Sequence, residues 1–196
     1  MKYKKLLNPF VVILCLIFFI NYGSKDAVAK KEDHRTKIAE KDLETTAKKL
    51  QLSDLIFVGE FLLEFSIFKI DVYKISYFRS EDVEALSLKY FMDVSRDLSI
   101  KGWTEGFKWM DKNEKKKYEP AIDWIFSNTK NVRKNDLFTM FKKGNLVVFK
   151  KNQKTIAHIN SKGVADIVFT PWIGESPIKG DVKKALLKNL EVINKK

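Results

Sequence analysis

The chain contains a single cysteine, Cys15, and two histidines among its 196 residues. One cysteine excludes a disulfide within the chain, and so few soft ligands argue against a metal centre. Glycine and proline are also sparse, at eight and four. No glycine-rich phosphate loop appears; Gly102 and Gly106 fall in a helical stretch, and no serine stands in a nucleophile elbow. Arginine is scarcer still. Only Arg35, Arg79, Arg96 and Arg133 are arginine, so lysine carries most of the formal net charge of +12. Base readout leans on arginine, so a lysine-borne charge argues against nucleic acid as partner. Runs such as "KNEKKK" (112–117) and "FKKNQK" (149–154) read as solvated faces, with weak attraction to an anionic membrane surface as the functional alternative.

Long hydrophobic runs are lacking except for one. Phe10 to Ile20 is unbroken apolar sequence, 11 residues after a basic start. That length suits the core of a signal peptide and is short for a membrane span. Small residues at Ala27 and Ala29 predict cleavage after Ala29 and delivery to the periplasm or the exterior; an uncleaved anchor is the other reading. Leu14 is not the small residue that a lipoprotein cysteine needs before it, so Cys15 leaves with the signal. Cleavage removes four lysines and one aspartate, which lowers the net charge from +12 to +9. His34 falls in the polar leader that follows.

What remains is rich in core formers. The chain is 45% hydrophobic and 13% aromatic, which excludes low-complexity disorder and suits one domain. We divide it into a signal peptide (1–29), a polar leader with a weak helix (30–52) and a folded domain (53–196). In the leader, Ile38, Leu43, Ala47 and Leu50 follow a helical spacing. From Leu55 the period becomes two, with Phe57, Phe61, Leu63, Phe65 and Ile67 on one parity and Glu60 and Glu64 on the other. "FKIDVYKISYF" (68–78) alternates too, but its apolar parity switches after Val72, which predicts a bulge or bend near Val72 to Lys74. "SEDVEAL" (80–86) reads as a short helical turn. "LSLKYFMDVSRDL" (86–98) alternates throughout and predicts a strand that ends near Arg96.

A helical period follows, with Ser99 as cap and Trp103, Phe107 and Met110 on one face. A second helix carries Tyr118, Ile122, Ile125 and Phe126, with Pro120 in its first turn. Three short strands then form a meander: "DLFTMFKK", "NLVVFKK" and "KTIAHI", the last placing His158 at a core or rim position. "SKGVADIVF" (161–169) predicts a helix, and Asp181 caps a final one with Val182, Leu186 and Leu190 inward. Strands, then helices, a meander and helices again make an α+β domain, an antiparallel sheet with helices packed on one face.

Several stretches resemble the chalcone isomerase-like family. "LIFVGEFLLEFSIFKIDVYKISYF" (55–78) is similar to its opening strands, and Val72 and Tyr73 match a Val-Tyr pair there. "YFMDVSRDLSIKGW" (90–103) resembles its passage from strand to helix. "FTPWIGESPIKGDVKKALL" (169–187) is similar to the exported bacterial branch. The resemblance implies an open-faced β-sandwich, a curved antiparallel sheet roofed by helices, with a cleft between the layers. It also implies two possible uses. The family's enzymes close a chalcone by intramolecular conjugate addition, aided by an arginine on the first strand and by Thr and Tyr hydroxyls. Here no basic residue lies between Gly59 and Ile67, the strand threonine falls near Val72 and a late hydroxyl near Pro171.

We therefore expect no catalytic residues and no cofactor. The better reading is a binder of a fatty acid or similar small amphiphile, like the family's non-enzymatic members. Arg96 shares the parity of Leu88, Tyr90, Met92 and Val94 and is the candidate cation; pairing with a neighbouring acid is its ordinary alternative. Tyr73, Tyr77, Tyr90 and Trp103 are candidate polar-tipped walls, with core packing the alternative. Trp109, Trp124 and Trp172 we assign to packing. A protein whose cleft is filled by its own side chains, and whose surface docks an envelope partner, is the second reading.

Overall fold

The computed structural model describes residue 37, residues 39–65 and residues 70–190. The signal segment, His34 and Ile67 lie outside the described residues. The chain divides into two units, residues 1–45 and residues 46–196. A helix, α1, covers residues 39–49.

Six strands form one antiparallel sheet in chain order: β1 (Ile56–Phe65), β2 (Ile70–Arg79), β3 (Glu84–Tyr90), β4 (Leu137–Lys143), β5 (Leu146–Lys151) and β6 (Lys154–Asn160). Turn chemistry makes the meander tight. Between β5 and β6, Asn152 and Gln153 both have positive φ, 49° and 69°, the backbone of a two-residue hairpin whose twist matches its strands. Five helices follow or interrupt the strands: α2 (Arg96–Gly106), α3 (Lys112–Asn128), α4 (Lys162–Ile167), α5 (Thr170–Ile173) and α6 (Val182–Leu186).

Strand register sorts the side chains onto two faces. Tyr73, Ile75 and Tyr77 of β2 stand opposite Tyr90, Leu88 and Leu86 of β3, and Leu88 and Leu86 stand opposite Phe138 and Met140 of β4. This face packs against the helices, as the Trp124–Phe149 ring contact at 5.0 Å shows. Ile75, Leu86, Met140 and Phe149 are fully buried here, and each such side chain stabilises the fold by roughly 1.5–3 kcal/mol.

The parity switch in the second strand has its structural cause. Leu63 pairs with Tyr73, but the next residue, Glu64, pairs with Asp71. Val72 is the extra residue, a bulge whose carbonyl accepts from the Phe91 N–H at 2.9 Å. The bulge re-aims the strand so that Tyr73 and the residues after it face the helices. A second bulge, at Val58 of β1, carries that residue into the core at 0% exposure. Beside it, a Cβ added to Gly59 would lie 2.3 Å from the Ala185 carbonyl oxygen. The backbone of α6 therefore rests directly on β1, and only glycine permits that approach.

Local expectations needed correction in four places. Ser80–Val83 form a hairpin turn, closed by the Ser80 N–H to the Val83 carbonyl at 2.8 Å, and Glu84–Leu86 already belong to β3. That strand stops at Tyr90, because Val94 finds only an isolated bridge to Val132. Ser95, not Ser99, caps α2 by accepting from Leu98 N. The capping box of α3 is Asp111 with Glu114, which starts the helix two turns before Pro120. Pro120 thus sits inside an exposed helical segment, where its ring removes one hydrogen bond without burying the loss.

The second face of the sheet is polar along one row. Glu60, Ser76, Ser87, Thr139, Lys150 and Thr155 follow one another across all six strands. Ser87 and Thr139 are buried and hydrogen-bonded at 3.0 Å. Residues 46–55 lie against this face, with Ala47 at 0% exposure and the backbone carbonyls of Lys48 and Leu50 taken by Lys150.

Candidate functional site

Four aromatic side chains meet between the sheet and the helices. Tyr73 comes from β2, immediately after the Val72 bulge, and Tyr90 from the end of β3; their rings meet edge to face at 5.5 Å. Trp172 comes from α5 and Trp103 from α2, with ring centroids 5.2 Å apart. A Cβ added to Gly106 would lie 2.4 Å from Cβ of Pro171, so the ends of α2 and α5 touch, and this contact brings the two indoles together. Trp103 stacks in turn on Phe107, four residues along, at 5.7 Å.

The polar atoms of the cluster are unevenly satisfied. Trp172 Nε1 donates to the Tyr73 hydroxyl at 3.0 Å. That bond occupies a lone pair of Tyr73 and leaves its own hydrogen to be donated. Among the described residues, neither the Tyr73 nor the Tyr90 hydroxyl hydrogen has an acceptor. Burial pushes the Tyr73 phenol up to about 12, against the lowering effect of the Trp172 bond. Tyr90 is raised further, again by burial first and by Tyr73 second. Both are therefore neutral donors at any physiological pH.

An apolar rim adjoins this pair. Leu63 stands opposite Tyr73 and Phe61 opposite Ile75; both are half-buried, as are Val72 and Ile178. Ile178 is held there because its N–H donates to the Pro171 carbonyl at 2.8 Å. The next residue, Lys179, places its ammonium 5.8 Å from the Phe61 ring centroid, a cation–π contact at the edge of the apolar surface.

The structure brings together Tyr73, Tyr90 and Trp103 of the expected residues and adds Trp172. It leaves Tyr77 and Arg96 apart. Tyr77 faces the same side but donates to Glu84 Oε1 at 2.5 Å, and Glu84 in turn pairs with Lys142 at 2.5 Å. Burial works to raise the Glu84 carboxyl, but the bonds from Lys142 and Tyr77 outweigh it and hold it below its usual range. Arg96 is not on the strand whose parity singled it out. It opens α2, is exposed, donates through Nη2 to the Phe126 carbonyl at 3.1 Å, and lies 4.0 Å from Asp97. Trp103 lies two helical turns further on, roughly 10 Å along the axis.

His158 falls on the second face opposite Val148, half-buried. Trp124 packs on Phe149, as expected, while the indole N–H of Trp109 is buried without an acceptor among the described residues. Among the described residues no group of His, Cys, Asp and Glu is placed to hold a metal ion, and no helix is long and apolar enough to cross a membrane. Trp172, read as packing, is indeed buried in the core and also donates to Tyr73, while Lys179 was not singled out. Both lie in the "PWIGESPIK" stretch that carried the resemblance, and the Trp-Ile-Gly segment after a proline was the signal for a fixed indole.

Comparison with known proteins agrees with the fold. A family model described as chalcone isomerase-like matches residues 70–188, more than half of the chain. No curated protein sequence matches it. Among solved structures, a crystal structure of a fatty-acid binding protein of Arabidopsis thaliana superposes with a TM-score of 0.57 at 12% identity, covering 72% of this chain and 91% of that one. At that identity the likeness is one of fold.

Proposed function

This chain belongs to the chalcone isomerase-like family, and from that premise we propose that it is a non-catalytic binder of a fatty acid or similar small amphiphile. The observation that carries the reading is the pair of buried phenols, Tyr73 and Tyr90, whose hydroxyl hydrogens have no acceptor among the described residues beside a half-exposed apolar rim. A carboxylate or carbonyl oxygen is what two neutral donors in an apolar layer accept into their company. Phe61, Leu63, Val72 and Ile178 then take the chain, each buried methylene contributing about 0.8 kcal/mol. Trp103 backs the layer through Trp172. Lys179, rather than Arg96, is the cation at the rim, and it favours an acid over an ester. The Arabidopsis fatty-acid binding protein that shares this fold points the same way.

Conjugate addition needs a cation at the developing enolate. The first strand offers Phe61 and Leu63 instead of a basic residue, which supports binding without turnover. The mutual contacts of Trp103, Trp172, Tyr73 and Tyr90 favour one second reading, a layer filled by its own side chains in a protein that docks an envelope partner. Export belongs to the same proposal: residues 1–29 direct the chain outward, cleavage follows Ala29, and the lysine-rich surface touches anionic lipid weakly.

Native mass spectrometry of protein purified from its own host tests the central claim. Reproducible acyl species that diminish in Lys179→Glu and Tyr73→Phe support it. An empty protein with no thermal shift across a fatty-acid panel favours the filled layer, and turnover of chalcone above the alkaline background overturns the non-catalytic reading. N-terminal sequencing decides cleavage.

A further inference from the structure

The second face of the sheet contains an unusual cation. Lys150 sits on β5 in the polar row, only 3% exposed. Burial pushes its ammonium below the usual lysine range, and no carboxylate among the described residues offsets it. Burying an ammonium without a counter-charge is costly. Its Nζ instead donates to the carbonyls of Lys48 at 3.2 Å and Leu50 at 2.5 Å and lies 5.5 Å from the Phe141 ring centroid. Those carbonyls end α1, where a helix leaves acceptors unsatisfied and gathers partial negative charge.

Ala47 is buried at the start of this segment, but past Leu50 the chain is held less closely. Gln51, Ser53 and Asp54 are exposed, and the single 3-10 turn at Leu52–Asp54 buries nothing. A groove of about 390 Å³ runs between the segment, the β2–β3 turn and Lys143. The segment continues without a break into β1, an edge strand bonded on one side only, to β2, and interrupted at Val58. That strand carries Phe61 and Leu63.

We infer that residues 46–55 are a strap, latched by Lys150, whose attachment sets how firmly β1 is held and so governs access to the apolar rim on the opposite face. The access step rests on the ligand reading above; the strap itself does not. Latched, the strap fixes the start of β1 and keeps Phe61 and Leu63 against the core. Released, β1 retains its bonds to β2 and the contact of α6 on Gly59, so it loosens without the sheet unfolding. Ligand entry then follows strap opening.

Segment-resolved hydrogen exchange on the host-matured protein tests this with Lys150→Met, which keeps the stem and removes the donors, and Lys150→Arg, which keeps donors. In Lys150→Met we expect exchange in residues 46–64 to accelerate about tenfold with β3–β5 unchanged, and Lys150→Arg to stay within about threefold of the parent. Stopped-flow binding of dansyl-labelled undecanoic acid is expected to speed up in the same variant, in both directions. Equal acceleration in every strand, or none, overturns the latch. If Lys150→Met does not fold, native-state exchange of the parent decides. Opening of residues 46–64 at denaturant levels well below global unfolding supports the strap, and exchange only through global unfolding overturns it. If the probe binds neither parent nor variants, the ligand reading and the access step fail, while the exchange pattern still judges the latch.

Discussion

Tyr73 and Tyr77 sit four residues apart on one strand, face the same helical layer and are both buried, at 9% and 1% exposure. Their chemistry differs because of what stands beside them. Tyr77 donates to Glu84, itself held by Lys142, so the whole chain of donors and acceptors closes on itself. Tyr73 accepts from an indole, which cannot accept in return, so its hydrogen has nowhere to go among the described residues. A buried phenol beside a carboxylate is a structural tie. A buried phenol beside an N–H donor is a donor in waiting. The lesson is that burial and residue type do not separate these two phenols; the direction of each hydrogen bond does.

The contrast is open to attack at both ends. The largest expected effect belongs to the Tyr77 end. Lys142→Met removes one partner of a mostly buried pair and should lower stability by about 2–4 kcal/mol in urea unfolding, with probe affinity unchanged. A matching loss of affinity would show that the two ends are one site. Next comes Tyr73→Phe, which should weaken binding about tenfold, the worth of one hydrogen bond to a charged group. It also strands the Trp172 N–H; adding Trp172→Phe should recover part of the stability but none of the affinity. Tyr77→Phe should cost about 1–2 kcal/mol of stability and leave binding alone.

The smallest effects are those of pH. Glu84 has a folded pKa below the ordinary glutamate value of 4.5, so its contribution is complete above that value and is lost as pH falls through the folded pKa. Asp136, held by Lys151 first and then by the Arg133 N–H, is lowered to about 2, which extends the acid loss downward. Tyr73 runs the other way. With a folded pKa of about 12 against 10.0, its contribution is complete below 10 and is lost between 10 and 12. Ultraviolet titration should therefore show no ionisation of Tyr73 until the alkaline end of that window, and Tyr73→Phe should remove that part of the alkaline unfolding.

Much of the fold was legible because strands announce their faces. The alternation of residues 68–78 predicted a bulge near Val72 to Lys74, and Val72 is the unpaired residue. The meander followed from three apolar runs and their turns. The site was only partly legible. Tyr73 and Tyr90 carried the right parity, but the same parity was extended past Tyr90 to Arg96, which the chain's turn at Phe91–Asp93 had already released from the sheet. Trp172 read as packing because periodicity says which way a residue points and not what it meets. Lys150 shared the polar side of a strand with solvated lysines, and nothing local distinguishes it; its partners are about a hundred positions away in the chain.

Because the strands follow chain order, five seams join them, and four of these are zipped by nearby residues. The fifth, between β3 and β4, must wait for the 46 residues from Phe91 to Asp136 to fold back on themselves. Loop closure there is the topological bottleneck. Two hairpin modules should assemble early and separately, and their late union across that seam should set the pace at which the whole molecule reaches its native state.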